Sequence, residues 1–106
     1  MSRPLRYVVL HHTGVAEPHY DFMLAIDDAG PLLTWRLSRW PPGEDDRATP
    51  IASHRRVYLE YEGPVSGQRG VVKRVAAGQA ELFARTAGSV TIQLDGATTL
   101  TLPTAT

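Results

Sequence analysis

Three of the chain's four histidines and an aspartate fall in one stretch, His11-His12-Thr13-Gly14-Val15-Ala16-Glu17-Pro18-His19-Tyr20-Asp21-Phe22. His19 and Asp21 are two positions apart, so on an extended strand both side chains leave one face while Tyr20 and Phe22 leave the other. His12 precedes them across the connection Thr13 to Pro18, which contains Gly14 and is long enough to turn back and set its imidazole beside the other two. Two neutral imidazoles and a carboxylate make a three-point cradle for a divalent cation, with positions left open for substrate. His12, His19 and Asp21 are therefore expected around one ion, at about 2.0–2.2 Å from it. His11, one residue out of phase, belongs on the opposite face. The competing reading is that these histidines only hydrogen-bond in a loop, because H-x6-H-x-D alone is a weak motif.

Length and composition narrow what such a site can serve. With 106 residues the chain reads as one domain over residues 1–106, with a real core and no room for a separate cofactor domain. It is 42% hydrophobic and 21% charged, as expected of a globular protein. Eleven basic residues balance eleven acidic ones, which argues against nonspecific binding along nucleic acid and leaves a local basic patch open. Without cysteine there is neither a disulfide framework nor a thiolate metal site. The start, Met1 to Arg6, is basic, but the apolar run Tyr7 to Leu10 is too short for a signal peptide or a membrane span. A cytoplasmic protein without membrane contact is the expectation.

The elements that must carry these residues are short and extended. Arg6 to His12 contains Tyr, Val, Val and Leu in a row and reads as a buried strand that delivers His11 and His12 at its end. His19 to Ile26 resumes as a strand before the turn Asp27 to Pro31, and Leu32 to Leu37 follows with Leu33, Trp35 and Leu37 on one face. Ser38 to Thr49, rich in Pro, Gly and charge, reads as a long surface loop. Val57 to Tyr61 alternates like a strand, and Val71 to Val75, Glu81 to Arg85, Ser89 to Leu94 and Thr98 to Leu102 follow as short strands. Asp95-Gly96 is the clearest hairpin signal. No helical period is sustained. The fold expected is all-β or mainly β: a small, mostly antiparallel β-barrel with long connecting loops. Val9 or Val8, Phe22 or Leu24, Trp35, Leu59, Ile92 and Leu94 are expected to feed its interior.

Taken together, the residues carry a resemblance. His12, then His19-Tyr20-Asp21-Phe22-Met23-Leu24, Leu33-Thr34-Trp35, His54-Arg55-Arg56-Val57-Tyr58, Tyr61-Glu62-Gly63 and Ser66-Gly67-Gln68-Arg69-Gly70 occur in an order that resembles the 3′-phosphoesterase domain of bacterial DNA ligase D. The resemblance covers about residues 6–85. It implies a small β-barrel enzyme that trims 3′ ends of nucleic acid with manganese, removing a terminal ribonucleoside and then the 3′-phosphate. It places His12, His19 and Asp21 on the metal, Mn2+ or another divalent ion such as Zn2+, and His54 and Tyr58 on the phosphate. A separate ligase or polymerase is the protein partner it suggests. The family reads H-Y-D-F-R-L-E where this chain has H-Y-D-F-M-L-A, so Met23 replaces the phosphate-gripping arginine and Ala25 the glutamate. The link from His12 to His19 is one residue longer than the family's usual spacing. Arg36, on the tryptophan strand but facing away from Trp35, is the expected substitute for the lost charge and joins His54 and Tyr58 as a catalytic candidate.

Three readings follow. One is a metal-dependent phosphoesterase. Another is a noncatalytic module that binds nucleic-acid ends or repair proteins and retains the fold and metal. The third is a barrel whose histidines are structural.

Overall fold

A computed structural model describes residues 4–104; the first three residues of the basic start, Met1, Ser2 and Arg3, lie outside them. Eight strands appear in chain order: β1 (Leu5–Thr13), β2 (His19–Ala25), β3 (Leu32–Leu37), β4 (Thr49–His54), β5 (Gly63–Pro64), β6 (Val71–Arg85), β7 (Ser89–Leu94) and β8 (Thr98–Pro103), with one 3-10 turn at Arg56–Leu59 between β4 and β5. They form a single antiparallel sheet in the order β4-β3-β2-β1-β6-β7-β8, with β5 pairing beside β6. The sheet curls into a half-barrel, so the protein is mainly β as its alternation predicts. Trp35 on β3 donates its indole N–H to the Pro103 carbonyl of β8 at 2.5 Å, bridging the two flanks of the curl. No helix among the described residues is long and apolar enough to cross a membrane.

Alternation gives the sheet two apolar faces. Tyr7, Val9, Phe22, Leu24, Trp35, Val90, Ile92 and Leu94 form the main core inside the curl. Val8, Leu10, Met23, Leu32, Leu59 and Val72 form a smaller cluster on the other face. Val8 and Val9 are thus both buried, on opposite sides, and Leu59 packs outside the curl rather than in its interior.

Three local expectations are corrected. Val57 to Tyr61 is not a strand: Tyr58 N–H donates to the Arg55 carbonyl and Glu60 N–H to Val57, the short-range bonds of a 3-10 turn. Leu59 is the one fully buried residue of that run, and Tyr58 and Tyr61 are partly buried against the same cluster. Thr49 to His54 is an edge strand, legible neither from propensity nor from alternation because it carries Pro50 and small polar residues. The strands expected at Val71 to Val75 and Glu81 to Arg85 are one element, β6, which pairs with β1 along its first part and with β7 along its second. Register shifts opposite Val9/Leu10 and at Leu82/Ala84 let so long a strand bend with the curl.

The Asp95-Gly96 turn does more than close a hairpin. Both residues have positive φ, and Asp95 accepts from the Tyr7 hydroxyl at 2.6 Å and from the Gln79 N–H at 3.0 Å. Gly78 makes this approach possible, since a Cβ there would overlap the Asp95 carboxylate. Burial first, and then the Asp95 carboxylate, push the Tyr7 hydroxyl up to about 12, and the same hydrogen bond holds Asp95 below the usual carboxylate range. A raised tyrosine favours the folded state below its unfolded value and loses that contribution as pH rises through its folded value. Thermal melts of the wild type should therefore fall between pH 10 and about 12. Tyr7→Phe should melt lower at neutral pH but lack that alkaline decline; a decline of equal size in the variant would contradict the assignment.

Candidate metal centre and cleft

The β1–β2 hairpin sets the candidate ligands by register. His12 pairs directly with His19, and Leu10 pairs with Asp21, so all three candidate ligands share one face of two adjacent strands. Their ligand atoms lie within 4.8 Å of one another. His19 Nε2 is 3.5 Å from Asp21 Oδ1, and His12 Nδ1 is 4.0 Å from Asp21 Oδ2. Two donors bonded to one ion at about 2.1 Å in tetrahedral geometry stand about 3.4 Å apart, so the observed spacing needs little adjustment. His11 falls on the opposite face as expected, stacked on Tyr20 with ring centroids 4.3 Å apart.

Hydrogen bonds orient both imidazoles. His12 Nε2 lies 2.6 Å from the Arg69 carbonyl, and His19 Nδ1 lies 2.9 Å from the Glu17 carbonyl. A carbonyl can only accept, so each of those nitrogens carries the proton, which leaves lone pairs on His12 Nδ1 and His19 Nε2, the two atoms that face Asp21. Holding a ligand histidine by its other ring nitrogen is the usual support of a metal site. His19 Nε2 and Asp21 Oδ1 are buried with no hydrogen-bond partner. Buried polar atoms are rarely left so, and a cation between them would satisfy both. His12, His19 and Asp21 can hold a metal ion.

Two glycines bring the supporting carbonyl into place. In the β5–β6 loop Gly70 has φ +85°, and a Cβ on it would overlap the Thr13 carbonyl oxygen and come 3.1 Å from His12 Nε2. Gly14 faces it, with its own Cβ position 3.1 Å from the Gly70 Cα. Gly70→Ala should push the loop away and free His12, weakening metal binding by about tenfold to a hundredfold, the usual scale for losing such support. Gly88→Ala, at a position with open space, is the matched control in a metal titration. Equal affinity in the two variants would show that the loop does not support the site.

Beside the ligands opens a cleft of about 490 Å3 whose walls include His12, Asp21, Met23, His54, Arg55, Tyr58 and Arg69. His54 ends β4, where it pairs with Leu32, and the 3-10 turn returns Tyr58 to it, with the two rings 5.8 Å apart edge to face. His54 Nδ1 lies 3.0 Å from the Ala52 carbonyl and so carries the proton, leaving Nε2 for a ligand. The structure thus brings His54 and Tyr58 to the same cleft as His12 and Asp21, although β4 and the 3-10 turn are remote from β1 and β2 in sequence.

Arg36 pairs directly with Asp21 across β2–β3, on the same face, but its side chain is exposed and is not part of the cleft wall. Met23 is buried in the smaller apolar cluster and forms part of the cleft's lining. The guanidinium groups in the wall come from two other segments, Arg55 just before the 3-10 turn and Arg69 in the β5–β6 loop. Arg69 donates through Nε to the Ser66 carbonyl (2.7 Å) and through a terminal nitrogen to the Ser66 hydroxyl (3.1 Å), which fixes its direction. Arg55 sits 5.9 Å from the centre of the Tyr58 ring. Sequence reasoning missed both; the signal for Arg69 was an arginine within a glycine-flanked turn, Gly67 to Gly70. Asp21 is the cleft's one carboxylate, against two guanidinium groups, so the wall is suited to an anion. Compared with known proteins, the chain matches no protein-family model and no curated protein.

Proposed function

We propose that the protein is a manganese-dependent phosphoesterase that processes 3′ ends of nucleic acid, releasing a terminal phosphate or ribonucleoside. The observation that carries this reading is the pair of buried, unpartnered donor atoms on His19 and Asp21 at the side of a cleft lined by His54, Tyr58 and two arginines. Manganese is the metal the resemblance to the ligase D phosphoesterase domain implies, and zinc suits the same two-nitrogen, one-oxygen donor set. When bound, the metal supplies Lewis-acid neutralisation of charge on the phosphoryl oxygens.

The chain's own residues do the remaining work. Arg69 and Arg55 hold the nonbridging oxygens in place of the arginine that Met23 replaces; Arg36, exposed and outside the cleft wall, takes no part. The Tyr58 hydroxyl donates to the same phosphoryl group. Water attacks phosphorus and loses a proton to solvent, the ester P–O bond breaks, and His54, having taken up a proton from solvent on its free Nε2, gives it to the departing oxygen while its Nδ1–H stays bonded to the Ala52 carbonyl. That oxygen is the 3′ oxygen when phosphate is removed and the 5′ oxygen of the terminal ribonucleoside in the other reaction. A ligase or polymerase that needs a clean 3′-hydroxyl is the fitting partner.

Met23, apolar and buried where the family carries arginine, favours a second reading: a module that binds metal and nucleic-acid ends without turnover. Phosphate release from a 3′-phosphorylated primer separates the two. Release that requires manganese and stops with chelator supports the phosphoesterase. Metal and primer binding without release transfers the assignment to the module, and binding of neither removes both.

A further inference from the structure

A second pocket, of about 340 Å3, adjoins the metal cleft and shares Arg55, Tyr58, Val65 and Ser66 with it. Its remaining wall is Val57, Tyr61 and Pro64. We infer that this pocket is a subsite for the nucleobase of the nucleotide whose phosphate occupies the metal cleft. The inference rests on the phosphoesterase reading and adds to it the part of the substrate that is gripped.

The chemistry of the wall selects a planar, uncharged, aromatic group. Tyr58 and Tyr61 stand edge to face with centroids 5.8 Å apart and planes at 83°, which leaves ring surface for a flat ligand to pack against. The Tyr61 hydroxyl is committed to the Pro64 carbonyl, so its ring is held in place. The Arg55 guanidinium beside Tyr58 offers a further flat, polarisable surface of the kind on which bases stack. Val57 is 51% exposed on a turn whose other apolar residue, Leu59, is buried, so an apolar side chain has been left at the pocket mouth. No carboxylate lines the pocket, and stacking of this type accepts any base. Because Tyr58 and Arg55 line both spaces, a phosphate in the cleft and a base in the pocket are one short connection apart, as in a single nucleotide.

The test uses the full chain loaded with manganese and measures binding by calorimetry. Inorganic phosphate, methylphosphonate and the hydrolysis-resistant 3′-phosphonate analogue of adenosine 3′-monophosphate are compared. The nucleotide analogue should bind about tenfold or more tightly than either of the other two, the gain expected from stacking one base. Tyr61→Leu and Val57→Asp should each remove that gain and leave phosphate affinity unchanged; Val57 is exposed, so its variant keeps the fold. Equal binding of the three ligands by the wild type, or a nucleotide preference that survives in both variants, overturns the subsite while leaving the phosphate cleft standing. Failure of all three ligands to bind overturns the cleft reading and the subsite together.

Discussion

Asp21→Asn is expected to abolish the stabilisation that divalent metal confers, and to do so without harming the metal-free protein. Asp21 is 2% exposed, and its Oδ1 has no hydrogen-bond donor. A buried carboxylate in that state is costly, and an amide of the same shape removes the charge while offering an N–H to His19 Nε2, 3.5 Å from Oδ1. With chelator present, the variant should melt at the same temperature as the wild type or higher. With manganese the order reverses. A ligand that binds only the folded state adds about 2.7 kcal/mol at a hundred times its Kd, and the wild type gains this while a variant that has lost its one anionic ligand does not. Paired melts with metal and with chelator read both halves of the prediction. A variant that gains as much from manganese as the wild type would place the ion elsewhere.

His54→Ala should lower turnover by about 10² or more, the scale for a positioned acid-base group, and leave metal affinity where it was. The separation follows from placement. His54 lines the cleft but is not one of the grouped ligands, and its hydrogen bond to Ala52 is local to β4. It is only partly buried, so truncation opens no large cavity. Phosphate release and a manganese titration on the same preparation give the two readouts. Unchanged turnover refutes the acid role, and lost metal binding would make His54 a ligand instead.

The metal group was legible in the chain because it depends on short-range geometry. Alternation within β2 puts His19 and Asp21 on one face whatever the rest of the molecule does, and an adjacent antiparallel strand returns His12 to them. The same alternation sent His11 to the other face, against Tyr20. The mainly-β class was legible for a similar reason, since strand periodicity and glycine-marked turns are properties of neighbouring residues.

Much of the cleft was not legible. The position of His54 is set by pairing of β4 with β3, and β4 has a proline and little apolar pattern because an edge strand needs neither full hydrogen bonding nor two buried faces. Tyr58 reads as part of a strand because the five residues Val57 to Tyr61 alternate too briefly to distinguish a strand from a 3-10 turn; the packing of Leu59 into the second apolar cluster, with Tyr58 and Tyr61 partly buried against it, decides it. Arg69 reaches the cleft because Gly70 and Gly14 allow two loops to touch, a contact between segments more than fifty residues apart. By itself, then, the sequence determined which side chains share a strand face, and with that the three candidate ligands of the metal. The tertiary structure alone decided how His54 and Tyr58 come to share a cleft with them and that Arg55 and Arg69 join it, because partners across a curled sheet depend on register, bulges and loop contacts that no local window of residues contains.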